Sequence, residues 1–277
     1  AIDQGEPCFA CAWGEMTGIT NVRRGTSLAL LPALVSSQGS HRADPGDPTS
    51  RFINDDARAE LSLNARYALG SDLAASAAIN PDFSQIESDA SQIDVNSTFA
   101  LFYDERRPFF SEASDLYSTP ITAVYTRQIN DPSAAGRVTG RIGQANVAYI
   151  GARDEHSPVL VPLEEGSLLA GTELKSTTNI ARAKLALGQE NSLGGLVTDR
   201  RFDGGGSNAV GGLDGKLRFL KNYRLEGQAL VSHTRERNDA ALSADLGADE
   251  LTFSDGRHTA AMDGESFGGM ALSGFVY

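Results

Sequence analysis

The chain has 277 residues, which is enough to bury a sizeable core in one large β-domain or in two smaller domains. Its net charge of −12 at pH 7, without any long basic run, argues against a nucleic-acid partner, which would need a basic surface. No apolar run reaches the roughly 18 residues that a transmembrane helix requires. Membrane-spanning β-strands stay compatible with the sequence, because they alternate apolar and polar residues.

The N-terminal region contains both cysteines, Cys8 and Cys11. A zinc site would need a second pair of ligands, and the histidines of the chain follow no ligand spacing. A redox motif would lie between a strand and a helix, and the residues around these cysteines do not have that pattern. We therefore expect a local disulfide or two unreactive thiols, and no metal site.

Alternation of apolar and polar residues dominates the chain from residue 26 onwards, and helical periodicity is nearly absent. From Arg58 to Leu69 every second residue is apolar, and a Gly70-Ser71 turn leads into the next strand. The same pattern recurs and predicts about ten strands. The predicted strands are Thr26–Leu34, Arg58–Leu69, Leu73–Ile79, Gly136–Ile142, Ala145–Ala152, Ile180–Leu187, Ser192–Phe202, Ser207–Phe219, Tyr223–Thr234 and Phe267–Tyr277.

Two properties of these strands favour a membrane β-barrel over a soluble β-sandwich. Most exceed the roughly five or six residues typical of globular strands and approach the about 9–11 residues of a membrane-spanning strand. Long connections at 37–56, 80–135, 153–178 and 237–264 alternate with short turns, as in outer-membrane barrels, although the link from Asp203 to Gly206 is short where a long one is expected. We predict an all-β fold, an antiparallel up-and-down meander that is part of an outer-membrane-type β-barrel. A sandwich stays the alternative, since periodicity alone does not separate the two folds.

The connection 80–135 is unusually long for a compact β-domain and is rich in aromatic and other apolar residues. Pro81 and Pro108 prevent regular strand pairing at their positions. We predict an ordered, irregular insertion that packs on or inside the β-scaffold as a plug or cap. Ile121–Gln128 is predicted to be extended without crossing the membrane, because a spanning strand there would break the alternation of connections. The whole chain, 1–277, is predicted to be a single β-barrel-type domain.

The insertion and the strand after it combine carboxylates with arginines. Two carboxylates about 5–9 Å apart could serve a glycosidase, whereas the nearby arginines favour structural ion pairs. We expect the structural role and predict no catalytic residue. Asp82 to Asp94 lacks the alternating ligands and the central glycine of an EF-hand calcium loop. The candidate plug or ligand-contact residues are Asp82, Glu87, Asp89, Glu105, Arg106, Arg107, Glu112, Arg127 and Arg141.

The runs NPDFSQIESD at 80–89 and ERRPFFSE at 105–112 are followed by Tyr125-Thr126-Arg127 and Thr139-Gly140-Arg141. Together they resemble a bacterial domain family of unknown function, whose members place this domain C-terminal to a family-9-like carbohydrate-binding module. The resemblance implies an outer-membrane-type β-barrel, and it carries over no catalytic residue because none is established for the family.

The chain departs from the family pattern in two places. The family's usual Pro-Glu-Lys-Arg before Pro-Phe-Phe is Asp104 to Arg107 here, and Glu112 is followed by alanine instead of glycine. Members also carry the binding module and extend beyond the equivalent of Tyr277. We therefore expect this chain to be an internal piece of a longer protein.

The remaining motifs predict no cofactor. The glycine-rich stretch 204–212 follows no strand–helix unit, so it predicts a turn or close strand packing instead of a nucleotide site. The expected function is that of a bacterial outer-membrane β-barrel in contact with lipid, with surface glycan binding or transport as its role. The alternative is a secreted, soluble β-sandwich that binds glycans, or hydrolyses them with carboxylates in 80–115.

Overall fold

The computed structural model describes residues 27–81, 104–162, 167–188, 190–219, 223–245, 247, 251–253 and 258–277. Its main element is an antiparallel sheet of ten strands. The ten strands are β1 (Leu28–Ser37), β2 (Arg58–Ala68), β3 (Leu73–Ile79), β4 (Pro132–Ile142), β5 (Ala145–Pro162), β6 (Ser167–Leu187), β7 (Asn191–Phe202), β8 (Ser207–Phe219), β9 (Tyr223–Arg235) and β10 (Ser266–Val276).

Each strand of this sheet pairs with the strands before and after it in the chain, so the topology is a simple meander. This confirms the predicted all-β fold and its antiparallel order. Strands β1 and β10 form opposite edges and are not paired with each other, so the sheet is open. The described residues form one large sheet and two small sheets of two strands each.

The prediction of a long connection at 153–178 is wrong. Strands β5 and β6 contain 18 and 21 residues and form a hairpin that continues past the strands on either side. The pairing of β4 with β5 reaches only to Asp154, and that of β7 with β6 only to Ser176. The ladder between β5 and β6 shifts register on both sides of Ser157. These irregularities interrupt the period of two, so the sequence pattern ends before the strands do.

Alternate connections of an antiparallel meander lie at the same end of the sheet. One end carries the long connections, which contain short elements of their own. These are a hairpin of Ser40–Arg42 with Phe52–Asn54, the helices α1 (Pro108–Ser111) and α2 (Ser114–Tyr117), helix α3 (Ala240–Asp245), and a hairpin of Thr252–Phe253 with His258–Thr259. The predicted asymmetry therefore holds outside the β5–β6 connection and the four-residue β7–β8 connection, which lies at the same end.

The two faces of the sheet have different surroundings. In one cross-strand row, Val197, Val231 and Met270 are 57%, 60% and 80% exposed. In the adjacent row, Arg182 and Leu196 are 4% and 2% exposed. We call the first side the outer face and the second the inner face. Large exposed apolar residues on the outer face include Leu28, Leu30, Leu34, Leu61, Ile79, Tyr149, Val197, Leu213, Val231, Met270 and Leu272.

Residues 104–131, here called the insert, cover the inner face. Phe110, Tyr117 and Ile129 are buried, and they share a core with small and branched residues of the sheet. The sheet residues in this core are Ala135, Ala148, Ile150, Ala152, Ile180 and Leu196. An apolar core thus forms on the face whose other residues are mostly polar.

Ile121–Gln128 joins none of the sheets, as predicted, although Thr126–Gln128 forms a 3-10 turn instead of extended chain. Residues 82–103 of the predicted insertion lie outside the described residues. None of the helices in the described ranges is both long and apolar enough to span a membrane.

Candidate functional site

Polar side chains of the inner face bind the backbone of the insert. Five strands contribute one such side chain each, so the contacts follow the insert along its length. Three arginines of the sheet donate to backbone oxygens of the insert: Arg137 to Phe109 O, Arg182 to Leu116 O at 2.8 Å, and Arg200 to Gln128 O at 2.8 Å. Two backbone N–H groups of the insert donate to side chains of the sheet: Ile121 to Gln228 Oε1 and Asp131 to Asp154 Oδ1, both at 2.6 Å. A hydrogen bond to a buried backbone group satisfies a donor or acceptor that would otherwise be costly to bury.

Glu105 and Arg107 form a buried pair at the start of the insert. Arg107 donates from Nε to Glu105 Oε1 at 2.9 Å and from Nη2 to Glu105 Oε2 at 2.7 Å, so the pair is bidentate. Arg107 also donates to the backbone oxygens of Thr126 and Ile129, and its guanidinium lies 4.3 Å from the centre of the Phe110 ring. The pair therefore joins the first turn of the insert to its last turn.

Glu112 lies between two arginines of the inner face. It accepts hydrogen bonds from the buried Arg137 on β4 and from the more exposed Arg66 on β2, the latter at 3.2 Å. Arg137 also lies 5.2 Å from the centre of the Phe109 ring. Glu112 thus neutralises a buried guanidinium and links α1 to two strands.

Arg182 and Asp214 form a second buried pair, which crosses the intervening strand β7. Arg182 Nη2 donates to Asp214 Oδ2 at 2.9 Å, and the side chains are 1% and 13% exposed. Gly194 of β7 lies between them, and a Cβ there would be 2.5 Å from Arg182 Nη1 and 2.6 Å from Asp214 Oδ1. The missing side chain at Gly194 is therefore what lets the two partners meet.

The structure brings only some of the predicted site residues together. Glu105, Arg107 and Glu112 lie in the insert contacts, whereas Arg141 donates to Gly143 O at 2.7 Å in the distant β4–β5 turn. Arg106 is exposed and Arg127 lies partly buried in the 3-10 turn. Three further candidates, Asp82, Glu87 and Asp89, and the two cysteines lie outside the described residues.

Glu105 is suited to an ion pair and not to acid catalysis. Burial alone would raise the pKa of its carboxyl, but hydrogen bonds from Arg107 and Thr126 and the charge of Arg107 outweigh burial and leave that pKa below the ordinary 4.5. A glycosidase acid needs the opposite shift. Burial raises the pKa of Tyr117 to about 12, so its phenol stays neutral. Within the described ranges, no cluster of three or more His, Cys, Asp or Glu residues could hold a metal ion.

A cavity of about 530 Å³ lies between the insert and strands β5 to β9. Val124, Gln128 and Ile129 of the insert form one wall, while Ile180 and Arg200 belong to the sheet wall. The connection between β9 and β10 contributes further lining residues, among them Ala260 and Met262. The cavity therefore lies near the end of the sheet that carries the long connections.

Residues 48–143 match the family model described as Domain of unknown function (DUF5916). The matched region covers β2 to β4 and the insert, including Glu105, Arg107, Glu112 and Arg137. No curated protein matches the chain. The cavity residues on β6 to β9 lie outside the matched region.

Several residues of these contacts were absent from the predicted set, namely Arg137, Asp154, Arg182, Arg200, Asp214 and Gln228. Each lies on the polar side of a strand, so alternation alone places it on one face with the others. Alternation does not reveal which face the insert covers. It therefore does not reveal which polar residues bind the insert.

Proposed function

We propose that this chain forms part of a bacterial outer-membrane β-barrel, with its outer face towards lipid. The barrel-type domain comprises residues 1–277, and residues 80–135 form a plug or cap on the inner face. Its role is surface glycan binding or transport. In this arrangement, the end of the sheet with the long connections faces the cell exterior.

The exposed outer face is the single observation that supports the proposal most strongly. Large apolar side chains occupy it on strand after strand, from Leu28 on β1 to Leu272 on β10. Soluble monomers rarely expose apolar patches larger than a few hundred Å². Lipid is the environment in which a continuous apolar band of this kind is favourable.

Strand length and the placement of charge are consistent with this proposal. Nine of the ten strands contain 10 or more residues, and only β3 is shorter, with 7. About 9–11 tilted residues cross a bilayer. The ion pairs Arg182–Asp214 and Arg137–Glu112, whose guanidinium groups are buried, lie on the inner face, where a barrel has its polar lumen.

The insert supports the plug part of the proposal. Its backbone is bound by polar side chains from β4, β5, β6, β7 and β9, and its buried aromatic residues share a core with residues of β4 to β7. Such contacts suit a segment that fills a lumen. A hydrolytic role finds less support, because Glu105 and Glu112 are both held by arginines.

Membrane fractionation tests the proposal. We expect the protein to stay with the membrane after washes in high salt and in alkaline carbonate, and to be released only by detergent. Because burial of the apolar side chains of the outer face in lipid is not screened by salt, high salt should release none of it. A protein that is monodisperse in plain buffer would contradict the proposal.

A further inference from the structure

The cavity between the insert and the sheet has a floor of polar residues. Thr178 on β6 pairs in register with Arg200 on β7, which pairs in turn with Asn208 on β8 and then Thr234 on β9. All four residues line the cavity. Directly opposed residues of neighbouring strands have Cβ atoms about 4.5–5.5 Å apart, so the row presents adjacent polar groups to one ligand.

Arg200 differs from Arg107, Arg137 and Arg182 in that no carboxylate of the described residues lies within ion-pair distance of its guanidinium, and the charge of Asp154 acts on it only from farther away. Arg107, Arg137 and Arg182 each have a carboxylate within ion-pair distance, and among the described residues Arg200 has none. Its three hydrogen bonds are to neutral oxygens of Gln128 and Ser176. A guanidinium has five N–H donors, so two remain for a ligand.

Thr178 is a second, independent indication of a ligand. Its residue is 8% exposed, and within the described ranges its hydroxyl has no hydrogen-bond partner. An unpaired buried hydroxyl is costly unless something binds it. The hydroxyl lies in the same row as Arg200, one strand away.

The other charged lining residues fix where an anion can lie. Arg235 is exposed and occupies an outer-face position of β9, so its charge lies towards the outside of the sheet. Asp199 pairs with Arg201 at 3.0 Å, and Arg237 pairs with Asp239 at 2.8 Å. Glu236 lies near Asp263 and Glu265, which together disfavour a negative charge at the β9–β10 connection. An anionic group therefore binds at the Arg200 end, and the apolar walls around Val124, Ile129, Ile180, Val210 and Met262 take the rest of the ligand.

We infer that this cavity is a binding site for a small amphiphilic organic monocarboxylate. Its carboxylate accepts hydrogen bonds from Arg200 and Thr178, and its apolar body lies between the insert and strands β6 to β8. The site goes beyond the proposed membrane role, since it requires only the inner face and the insert.

Calorimetric titration of the purified full chain tests the site. The probes are benzoate, octanoate and indole-3-acetate, each beside its neutral amide, with the protein in whichever of detergent or plain buffer keeps it monodisperse. We expect at least one carboxylate to bind about tenfold or more tightly than its amide, because a charge-assisted hydrogen bond is lost in the amide. Raising the salt concentration should reduce this preference.

Variants identify the residues responsible. Arg200→Gln should remove the preference for carboxylate, whereas Arg218→Gln, which changes an exposed arginine at the other end of β8, should retain it. Thr178→Val should weaken binding without loss of thermal stability, because it replaces an unpaired hydroxyl by a methyl group. Val210→Trp should block both members of a probe pair by filling the cavity.

The inference is wrong if no carboxylate binds more tightly than its amide with a Kd below about 1 mM. It is also wrong if folded Arg200→Gln and Val210→Trp proteins bind the probes like the parent protein. Neither result depends on whether the protein is extracted with the membrane, so failure of this site and failure of the membrane proposal can be told apart.

Discussion

The ion pairs of this protein fall into two groups that differ in exposure. Arg107–Glu105 and Arg182–Asp214 are buried, whereas Arg153–Asp203 and Arg218–Glu190 have side chains that are about one-third to one-half exposed. Exposed pairs contribute little because water screens them, while removing one partner of a buried pair leaves a charge with no compensation. Substitutions that look alike in the sequence should therefore differ greatly in effect.

Glu105→Gln should reduce the free energy of unfolding by about 2–3 kcal/mol, because it removes the charge of the carboxylate that pairs in bidentate fashion with the buried Arg107. Urea unfolding at pH 7 measures the change. Asp203→Asn, which removes the partner of the more exposed Arg153, is the matched control and should have a much smaller effect. Equal losses in the two variants would contradict the assignment of Glu105 as an anchor of the insert.

The same variant should alter the pH dependence of stability. The pKa of Glu105 lies below 4.5 in the folded protein, so the unfolded chain takes up its proton first as the pH falls. The contribution of Glu105 is therefore present above pH 4.5 and is lost as the pH falls through the depressed value. Between about pH 5 and 3, the stability of Glu105→Gln should fall less steeply than that of the parent.

Glu236 should show the opposite dependence. Burial raises the pKa of Glu236, and the charges of Asp263 and Glu265 raise it further. Its favourable contribution is thus present below pH 4.5 and is lost as the pH rises through the folded value. Glu236→Gln should raise the melting temperature at pH 7 and leave it unchanged below about pH 4. A melting temperature that falls at pH 7 would contradict the account.

A substitution at Gly194 shows how far the stability of the insert depends on the packing of strand β7. Gly194→Ala places a methyl group against both partners of the Arg182–Asp214 pair, so we expect a loss of about 1–3 kcal/mol although no charge changes. Gly136→Ala on β4, where nothing lies within 4 Å of the added Cβ, should stay within about 0.5 kcal/mol.

Hydrogen exchange shows whether the loss of stability in Gly194→Ala extends to the insert. Arg182 also donates to Leu116 O, so Gly194→Ala should increase the exchange of amides near α2. The parent and Gly136→Ala should keep these amides protected. Unchanged protection in Gly194→Ala would mean that the pair stabilises the sheet alone.

Most strands could be predicted from the sequence because their faces have different surroundings. Ser207–Phe219 agrees with its predicted bounds, since alternation persists where one face is apolar and the other is polar. The extensions of β5 and β6 could not be predicted, because the register shifts around Ser157 break the period. Alternation along one strand does not show where its pairing with the next strand changes register.

The path of the insert was beyond prediction for a different reason. Its contacts join residues far apart in the chain, with separations of 66 positions for Arg182 and Leu116 and 107 for Ile121 and Gln228. The sequence indicated that carboxylates and arginines would pair, as Glu112 and Arg137 do. It did not indicate which strands would receive the insert, since any polar face could have done so.

At the scale of the whole molecule, we expect the cost of a charge on the outer face to depend on how deep the residue lies in the bilayer. Leu213 is 64% exposed at the centre of β8, and Leu69 is 46% exposed beside the β2–β3 turn. In a bilayer, Leu213→Lys should cost about 2–4 kcal/mol and Leu69→Lys about 0–1 kcal/mol, because the cost of a charge falls towards the interface. Unfolding from lipid vesicles measures both. Equal and small effects would argue for an outer face that meets water.

The β5–β6 hairpin extends past its neighbours, and this has a consequence for immunological labelling. The strand residues beyond Glu155 on β5 and before Lys175 on β6 are paired only with each other, and at about 3.3 Å per residue the seven on β5 span roughly 23 Å. In the proposed orientation the hairpin rises from the cell surface. An epitope placed between residues 162 and 167 should then be bound by antibody on intact cells, whereas one in the β4–β5 turn at Gly143 should need permeabilised cells. The reverse pattern would mean that the chain crosses the membrane in the opposite sense.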